Sequence, residues 1–287
     1  MEYGEDGKAA GATGGGYILS EGVVSKATLV TRTGQFRFET SVDGDPFYDA
    51  RTTRRAVGLL LAETGPVEGH LKLEQEMRVP IGCGFGASSA SAISAVYAVA
   101  ALLGVKIDKA RQACFAHRAE LIEQTGVGTV SVAYNFTGAG VITVPGEPGA
   151  AEFLKVDVPD GVRVVAASLG PYDKRVALSS PALSRRITEL GSSALAEFLA
   201  RPTLDVLAQE GERFSSGLGL MTPEVKKLAE AAKAAGAVHA SQNMIGYAVH
   251  SLVDASRAAK VKEALASLGG PRVDVYEVGK IRAGSIG

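Results

Sequence analysis

The chain has 287 residues, enough for one large domain or about two ordinary ones with a buried core. Its 30 basic residues nearly balance its 31 acidic ones, so the charge gives no reason to expect a nucleic acid or an anionic membrane as a partner. The two cysteines lack metal-ligand spacing, the N-terminus is polar and acidic, and no apolar run is long enough to span a bilayer, so we expect a reduced, cytoplasmic protein.

The first predicted elements are strands and one helix that lead to a glycine-rich loop. β-Branched and alternating apolar residues indicate the strands, and a turn is expected at Thr33–Gly34. Gly65 is expected to end the helix. The predicted strands cover residues 17–33, 35–41 and 71–79, and the helix covers residues 52–63.

The glycine-rich loop is the most informative stretch of the chain. Gly82, Gly84 and Gly86 can take backbone angles that are closed to other residues, and Ser88 and Ser89 stand where an alanine-rich helix begins. A loop of this kind leaves unpaired N–H groups in front of the positive end of a helix dipole. The sequence therefore predicts an anion site, for which phosphate is the usual ligand, although a small-residue turn before a tightly packed helix is the simpler alternative.

Asp108 is the predicted N-cap of the next helix, which we expect to run to about residue 124. His117 and Glu120 are three residues apart and therefore lie on one face of this helix. Two glycines then break the helix, and residues 130–144 are predicted to form a strand.

The composition changes near residues 145–149, where we place a boundary between domain 1–148 and domain 149–287. Beyond it strands and helices alternate in an α+β order. Two of the helices begin with Ser-Pro or Thr-Pro and are expected to end at glycine, namely Gly191 and Gly236. The predicted strands cover residues 162–168, 238–241, 247–253 and 273–278, and the helices cover residues 180–191, 222–236 and 256–268.

The loop does not fit the Walker A or dinucleotide-binding patterns. Its spacing of proline, two glycines, two serines and alanine resembles the second motif of the GHMP small-molecule kinases. This resemblance implies a GHMP kinase fold with an N-terminal glycine-loop domain, a ferredoxin-like C-terminal domain and ATP bound over the loop. The ATP-binding residues that it implies are Pro80, Gly82, Gly84, Phe85, Gly86, Ala87, Ser88 and Ser89.

A narrower resemblance extends from about residue 11 to the C-terminus. Residues 116–120, 125–128, 214–223 and 244–246 are similar to segments of the archaeal pantoate kinases. In that family ATP and Mg²⁺ phosphorylate the C4 hydroxyl of pantoate for coenzyme A synthesis, so we expect the same reaction here, and a homodimer. The alternatives are a kinase for another small hydroxy acid or alcohol, such as homoserine or mevalonate, and a nucleotide-binding paralogue without catalysis.

The resemblance also implies roles for individual side chains. Ser88 and Glu120 would hold Mg²⁺, which prefers carboxylate and other oxygen ligands. His117, Thr129 and Lys174 would take part in catalysis. Without the loop, the residues alone favour a solvated helix carboxylate at Glu120, and a histidine such as His117 is more often packed in a core than catalytic.

Two further groups of polar residues are candidates for substrate binding. Gln242, Asn243 and Gly246 correspond to the C-terminal motif that lies near substrate and phosphates in the GHMP kinases. Four basic side chains are candidates for the substrate carboxylate, although charges on or before a surface helix are often only solvated. They are Lys174, Arg175, Arg185 and Arg186, with Lys174 favoured.

The chain departs from the family pattern at two places. Thr129 stands where pantoate kinases usually carry aspartate, and a hydroxyl cannot accept the substrate proton as a carboxylate does. We expect transfer without a side-chain base, because phosphoryl transfer depends mainly on positioning and charge stabilisation. Residues 11–16 lack the arginine of the family's segment, and few residues precede Gly11, so we expect a truncated or misassigned start or a divergent paralogue.

Overall fold

The computed structural model of the chain is an α+β fold, as predicted, with helices packed against three sheets. Within the part of the chain that it describes, no helix is both long enough and apolar enough to cross a membrane. The described residues are 11–65, 67–172, 180–280 and 283–284.

The first part of the chain, to residue 156, supplies two of the sheets and the helices around the glycine loop. Its strands are β1 (Gly14–Tyr17), β2 (Val23–Thr31), β3 (Arg37–Val42), β4 (His70–Met77), β5 (Ala139–Val144) and β6 (Glu152–Val156). Its helices are α1 (Arg51–Thr64), α2 (Ala87–Leu102), α3 (Lys109–Glu123) and α4 (Thr129–Asn135).

Helix α2 is the centre of this part of the molecule. Ten of its 16 residues are buried, and most of these are Ala, Ser or Val, so that α1 and α3 can pack closely against it. Behind the helices lies a sheet in which β4 is antiparallel to β2 and parallel to β3. Because β4 leads directly into the glycine loop, this core fixes both the start of the loop and the helix that follows it.

A second sheet joins β5 to β1 on one side and to β6 on the other, in both cases antiparallel. The predicted domain boundary between residues 148 and 149 falls in the connection between β5 and β6. A division of the chain at this point stays a prediction, and the pairing of these two strands places residues from both sides of it in one sheet.

The third sheet has the strand order β10–β7–β9–β8, and every neighbouring pair is antiparallel. Together with its helical connections this is the ferredoxin-like arrangement that the resemblance implied. Helices α7 and α8 pack on one face of it around Val165, Val225, Val249 and Val261. The strands are β7 (Val162–Gly170), β8 (His239–Gln242), β9 (Tyr247–Asp254) and β10 (Arg272–Glu277); the helices are α5 (Pro181–Ala200), α6 (Leu204–Gly217), α7 (Pro223–Ala235) and α8 (Ala255–Ala266).

Backbone hydrogen bonds connect segments from the beginning, the middle and the end of the described chain. Ile18 N–H donates to Gly138 O at 2.8 Å, Gly138 N–H donates to Gly279 O at 2.9 Å, and Gly279 N–H donates to Ile18 O at 2.6 Å. These three residues therefore close a ring of hydrogen bonds between parts of the chain that are more than 100 residues apart.

The predicted helix caps at Asp108, Ser180 and Thr222 are confirmed, because each side chain accepts a hydrogen bond from a backbone N–H in the first turn. The predicted strand 130–144 is wrong in its first part, which forms α4. Val130 and Ser131 are adjacent and both buried, since the helix directs the valine into the α2–α3 core and the serine hydroxyl onto Gly146 O at 2.8 Å.

The structure also differs from the sequence prediction at other places. Residues 17–33 contain the end of β1 and all of β2 rather than one continuous strand. Gly191 does not end its helix. Helix α5 continues to Ala200, and Phe198 in its last turn is packed in the core with 1% of its surface exposed. Helix α6 and strand β6 lie in segments for which no element was predicted.

Candidate active site

The glycine loop is held against three other parts of the chain. Gly82, Gly84 and Gly86 have φ of 71°, 81° and 69°, in the left-handed region that favours glycine. There is also no room for a side chain at these positions. A Cβ atom would lie 2.7 Å from Pro171 Cβ at residue 82, 2.7 Å from Asn243 Cβ at residue 84 and 2.9 Å from Thr129 Cγ2 at residue 86.

Hydrogen bonds to the ferredoxin-like half of the molecule, which comprises strands β7–β10 and their connections, fix the loop backbone. Tyr172 N–H donates to Gly82 O at 3.0 Å, and the Asn243 side-chain amide donates to Cys83 O at 3.0 Å. The Cys83 thiol donates to Gly170 O at 3.1 Å. The loop is therefore positioned by the end of β7 and by the turn between β8 and β9.

Two further contacts fill the surroundings of the loop. The Phe85 and Tyr276 rings lie 6.2 Å apart between centroids, so an aromatic contact joins the loop to β10. Gly246 lies so close to the loop that a Cβ atom there would be 2.4 Å from the carbonyl carbon of Cys83. Glycine is thus required at residue 246 by space alone.

A buried carboxylate lies where the loop continues into α2. The Ser89 hydroxyl donates to Glu120 Oε1 at 2.6 Å, and both residues are at most 2% exposed. This short distance is typical of a hydroxyl bound to an ionised carboxylate. The backbone of Gly126 packs against the same carboxylate, because a Cβ atom there would be 2.5 Å from Glu120 Oε1.

Thr129 is the first residue of α4 and follows Gly128, the N-cap. Its methyl group touches the loop at Gly86, and the residue is exposed. The residue at which the chain departs from the family pattern therefore lies beside the loop.

His250 and Asn243 form a polar pair behind the loop. His250 Nδ1 lies 2.8 Å from Asn243 Oδ1, and the Tyr17 ring meets the His250 ring edge-on at 5.6 Å between centroids. Desolvation lowers the pKa of His250 to about 4, against a smaller opposing effect of the Glu212 carboxylate. The imidazole is therefore neutral near pH 7, and its Nδ1–H donates to the Asn243 oxygen.

The other predicted site residues are distributed more widely. His117 is fully buried on α3, one turn before Glu120, and its catalytic role stays a prediction. Arg185 is exposed on α5, and Arg186 donates to Gly217 O at 2.6 Å. Lys174 and Arg175 lie outside the described residues.

The donor set at the start of α2 fits Mg²⁺. Glu120 provides a carboxylate and Ser89 a hydroxyl, and Mg²⁺ commonly takes one or two carboxylates and completes its shell with water and substrate phosphates. The structure brings Ser89 against Glu120, whereas Ser88 is half-buried and makes no such bond in the described part of the chain. Among the described residues there is no group of three or more His, Cys, Asp or Glu arranged to hold a metal.

Comparison with known proteins agrees with this geometry. Residues 51–135, which run from α1 through the glycine loop to α4, match the family described as GHMP kinases N terminal domain. A solved structure described as a phosphotransferase related to the CoA biosynthesis pathway superposes with a TM-score of 0.87 at 25% identity, over 98% of this chain and 92% of that one. Residues 51–135 are therefore a GHMP kinase N-terminal domain, and the chain has the GHMP kinase fold.

Two curated relatives are similar over much of their length. A pantoate kinase of Methanospirillum hungatei is 26% identical over 250 residues, which are 86% of this chain and 81% of the relative. A mevalonate kinase of Pyrococcus furiosus is 24% identical over 201 residues, which are 65% of this chain and 60% of the relative. By their names, both relatives are kinases of small molecules.

His250 is the site residue that sequence reasoning missed. It lies in a β-strand, 7 residues after Asn243, and no motif marks it. The antiparallel pairing of β8 with β9 brings the two residues together, so a prediction of the hairpin register is the only sequence signal that leads to it.

We expect Ser89→Ala to lower the free energy of unfolding by about 2 kcal/mol, because it removes a buried hydrogen bond to a carboxylate. The half-buried Ser88 provides the matched control, and Ser88→Ala should change that free energy by less than about 0.5 kcal/mol. Urea unfolding of both variants measures the difference. Equal effects of the two substitutions contradict the assignment of Ser89 as the partner of Glu120.

Proposed function

We propose that this GHMP kinase transfers the γ-phosphoryl group of ATP to the C4 hydroxyl of pantoate, giving 4-phosphopantoate for coenzyme A synthesis. The choice of pantoate as acceptor is supported by similarity along nearly the whole chain to a phosphotransferase related to the CoA biosynthesis pathway, together with 26% identity to a pantoate kinase. The glycine loop and the Ser89–Glu120 pair support the nucleotide part of the proposal.

The loop is suited to bind the phosphates of ATP. Its glycines leave the backbone without side chains, and Gly86 is the N-cap of α2, so that the first N–H groups of that helix have no partner within the helix. The positive end of the α2 dipole adds to their attraction for an anion. Ala87, the first residue of α2, is buried in a core cluster with Val79 and Tyr276, which fixes the start of the helix.

We assign the Mg²⁺ that accompanies ATP to Glu120 and Ser89. When bound, the ion neutralises charge on the phosphates as it accumulates during transfer. Burial of Glu120 and the packing of Gly126 against its carboxylate hold the ligand in one place before the nucleotide arrives. The side chain is thus preorganised for a metal.

Thr129 is beside the loop but has no basic group, so the proposed mechanism has no side-chain base at this position. In this mechanism the loop holds the phosphates, and Thr129 lies at the edge of the same space. The proton of the acceptor hydroxyl passes to solvent or to a phosphate oxygen. Such a mechanism is adequate in principle because positioning and charge stabilisation supply most of the catalysis of phosphoryl transfer.

Mevalonate is the second candidate acceptor, because the chain is 24% identical to a mevalonate kinase over 201 residues. That similarity covers only 60% of the relative, so we favour pantoate. A homodimer stays a prediction from the resemblance.

The substrate assignment is tested by coupled ADP release with pantoate, mevalonate, homoserine and shikimate, with the product identified by mass spectrometry. We expect the highest kcat/KM with pantoate and a product that carries one phosphate. A higher value with mevalonate selects the second candidate. Binding of ATP without turnover of any of the four compounds indicates a paralogue that has lost catalysis.

Glu120→Gln keeps the size of the side chain and removes the charge that a hard cation needs. We expect turnover to fall at least about tenfold and to require a higher Mg²⁺ concentration. The control is Glu123→Gln on the same helix, where the carboxylate pairs with Arg55 at the surface. If titration with Mg²⁺ gives the same half-saturation for wild type and Glu120→Gln, Glu120 does not bind the metal.

Replacement of Thr129 tests the base-free mechanism. We expect Thr129→Val to cost about 1 kcal/mol at most, as for one lost hydrogen bond. Thr129→Asp adds a carboxylate at a helix N-terminus, where it is also electrostatically favourable, and general-base help is worth roughly a hundredfold where geometry permits.

Thr129→Asn is the control for this series, because it matches aspartate in shape without its basicity. Turnover of pantoate should rise in Thr129→Asp and not in Thr129→Asn. Loss of several orders of magnitude in Thr129→Val makes the threonine itself essential and overturns the mechanism.

A further inference from the structure

We propose that Asn243 is a positioning residue that sets the orientation of the glycine-loop peptides for phosphate binding, and that His250 fixes the side chain of Asn243 for this purpose. The proposal rests on the proposed function in that it takes the loop as the phosphate site. It goes beyond that function because it assigns the loop geometry to a pair of side chains in the ferredoxin-like half of the molecule.

The first step of the argument is the geometry of the peptide between Cys83 and Gly84. In a trans peptide the C=O and the following N–H point in opposite directions. Because Cys83 O accepts from the Asn243 amide at 3.0 Å, the Gly84 N–H is turned away from Asn243. The preceding peptide is held in the same manner, since Gly82 O accepts from Tyr172 N–H at 3.0 Å.

Two successive carbonyls are thus bound by the ferredoxin-like half, and the two N–H groups that follow them are turned away from it. Consecutive N–H groups directed to one side form a concave anion site when glycines adopt left-handed angles. The φ values of Gly82 and Gly84, 71° and 81°, meet this requirement. Of the two hydrogen bonds that restrain these carbonyls, the Asn243 side chain supplies one and the Tyr172 backbone N–H supplies the other.

The second step concerns the orientation of the Asn243 amide. An amide flipped by 180° would present its oxygen to the Cys83 carbonyl, and two acceptors would face each other. With the amide donating to Cys83 O, Asn243 Oδ1 lies 2.8 Å from His250 Nδ1, so the imidazole carries its proton on Nδ1. That tautomer opposes the flip, because a flipped amide would direct its NH₂ group at the Nδ1–H donor. The edge of the Tyr17 ring packs against the imidazole and limits its movement.

Asn243 is itself 5% exposed, and both ends of its side chain are bound. Its role is therefore to hold the loop rather than to contact a substrate. Gly84 packs directly on the Asn243 Cβ, so the backbone and the amide are fixed relative to each other from two directions.

The test is a double-mutant cycle on the full chain, with the dissociation constant of the Mg²⁺ complex of AMP-PNP, a non-hydrolysable ATP analogue, measured by calorimetry. We expect Asn243→Ala and His250→Leu each to raise this constant about five- to tenfold, as for one lost orienting hydrogen bond. His250→Leu should have no further effect in the Asn243→Ala background, because His250 acts through Asn243.

Conservative replacements separate this role from general stabilisation. His250→Asn keeps a donor near the position of Nδ1 and should bind the nucleotide within about twofold of wild type. Asn243→Asp keeps the acceptor for His250 but removes the donor to Cys83 O, so it should weaken binding even if Asn243→Ala does not fold. The control is Asn135→Ala, which removes a hydrogen bond of 3.2 Å from the Asn135 side-chain amide to Ser131 O within α4. It should leave nucleotide affinity unchanged.

The outcomes are distinct. If the effects of Asn243→Ala and His250→Leu are additive, the proposed role of the pair is overturned while the kinase function stands. The same holds if the wild-type enzyme is active and a folded Asn243 variant binds the nucleotide with unchanged affinity. Absence of nucleotide binding and of turnover in the folded wild-type protein overturns the kinase function and this inference with it. A melting temperature that falls in all variants without change in nucleotide affinity assigns the pair to stability alone.

Discussion

The absence of space for any side chain along the glycine loop is the constraint on which the rest of the structure depends. Each of the three glycines faces an atom of a different segment at less than 3 Å from where a Cβ would lie. These segments are the end of β7, the β8–β9 turn and the start of α4. The loop conformation is therefore a property of the assembled molecule and not of the loop sequence alone.

The same close approach explains the small residues of α2 and the burial of Ser89 near its N-terminus. A carboxylate such as that of Glu120 is costly to bury unless it is paired or hydrogen-bonded, and Ser89 satisfies part of that requirement. Burial of this carboxylate is costly for folding but would favour the cation that we propose for the site. Rigid packing of α1 and α3 against α2 keeps these groups in place.

Local sequence signals were sufficient where structure is decided locally. The caps at Asp108, Ser180 and Thr222 and the glycine at residue 236 were predictable because one side chain or one φ angle determines each helix end. Tertiary packing decided the other cases. Alternating β-branched residues suggested a strand at Val130, but burial against α2 favours a helix there.

The candidate site was predictable to the same extent. The loop is marked by composition and spacing, which a single sequence displays, whereas the role expected of Glu120 came from the family resemblance. The rotation of α2 about its axis decides which of the two serines meets Glu120, and the structure places the Ser89 hydroxyl there rather than that of Ser88. The contact between Asn243 and His250 depends on hairpin register, and neither property is encoded in a short motif.

The ring of hydrogen bonds among Ile18, Gly138 and Gly279 has a consequence for synthesis of the protein. A ribosome adds residues from the N-terminus onward, at about 5–20 each second. When α2 has left the ribosome, Asn243, Tyr276 and Gly279 do not yet exist, so the nascent loop lacks the contacts that shape it. The glycine loop therefore acquires these contacts only after the segment around Gly279 has been synthesised and has paired with Ile18 and Gly138.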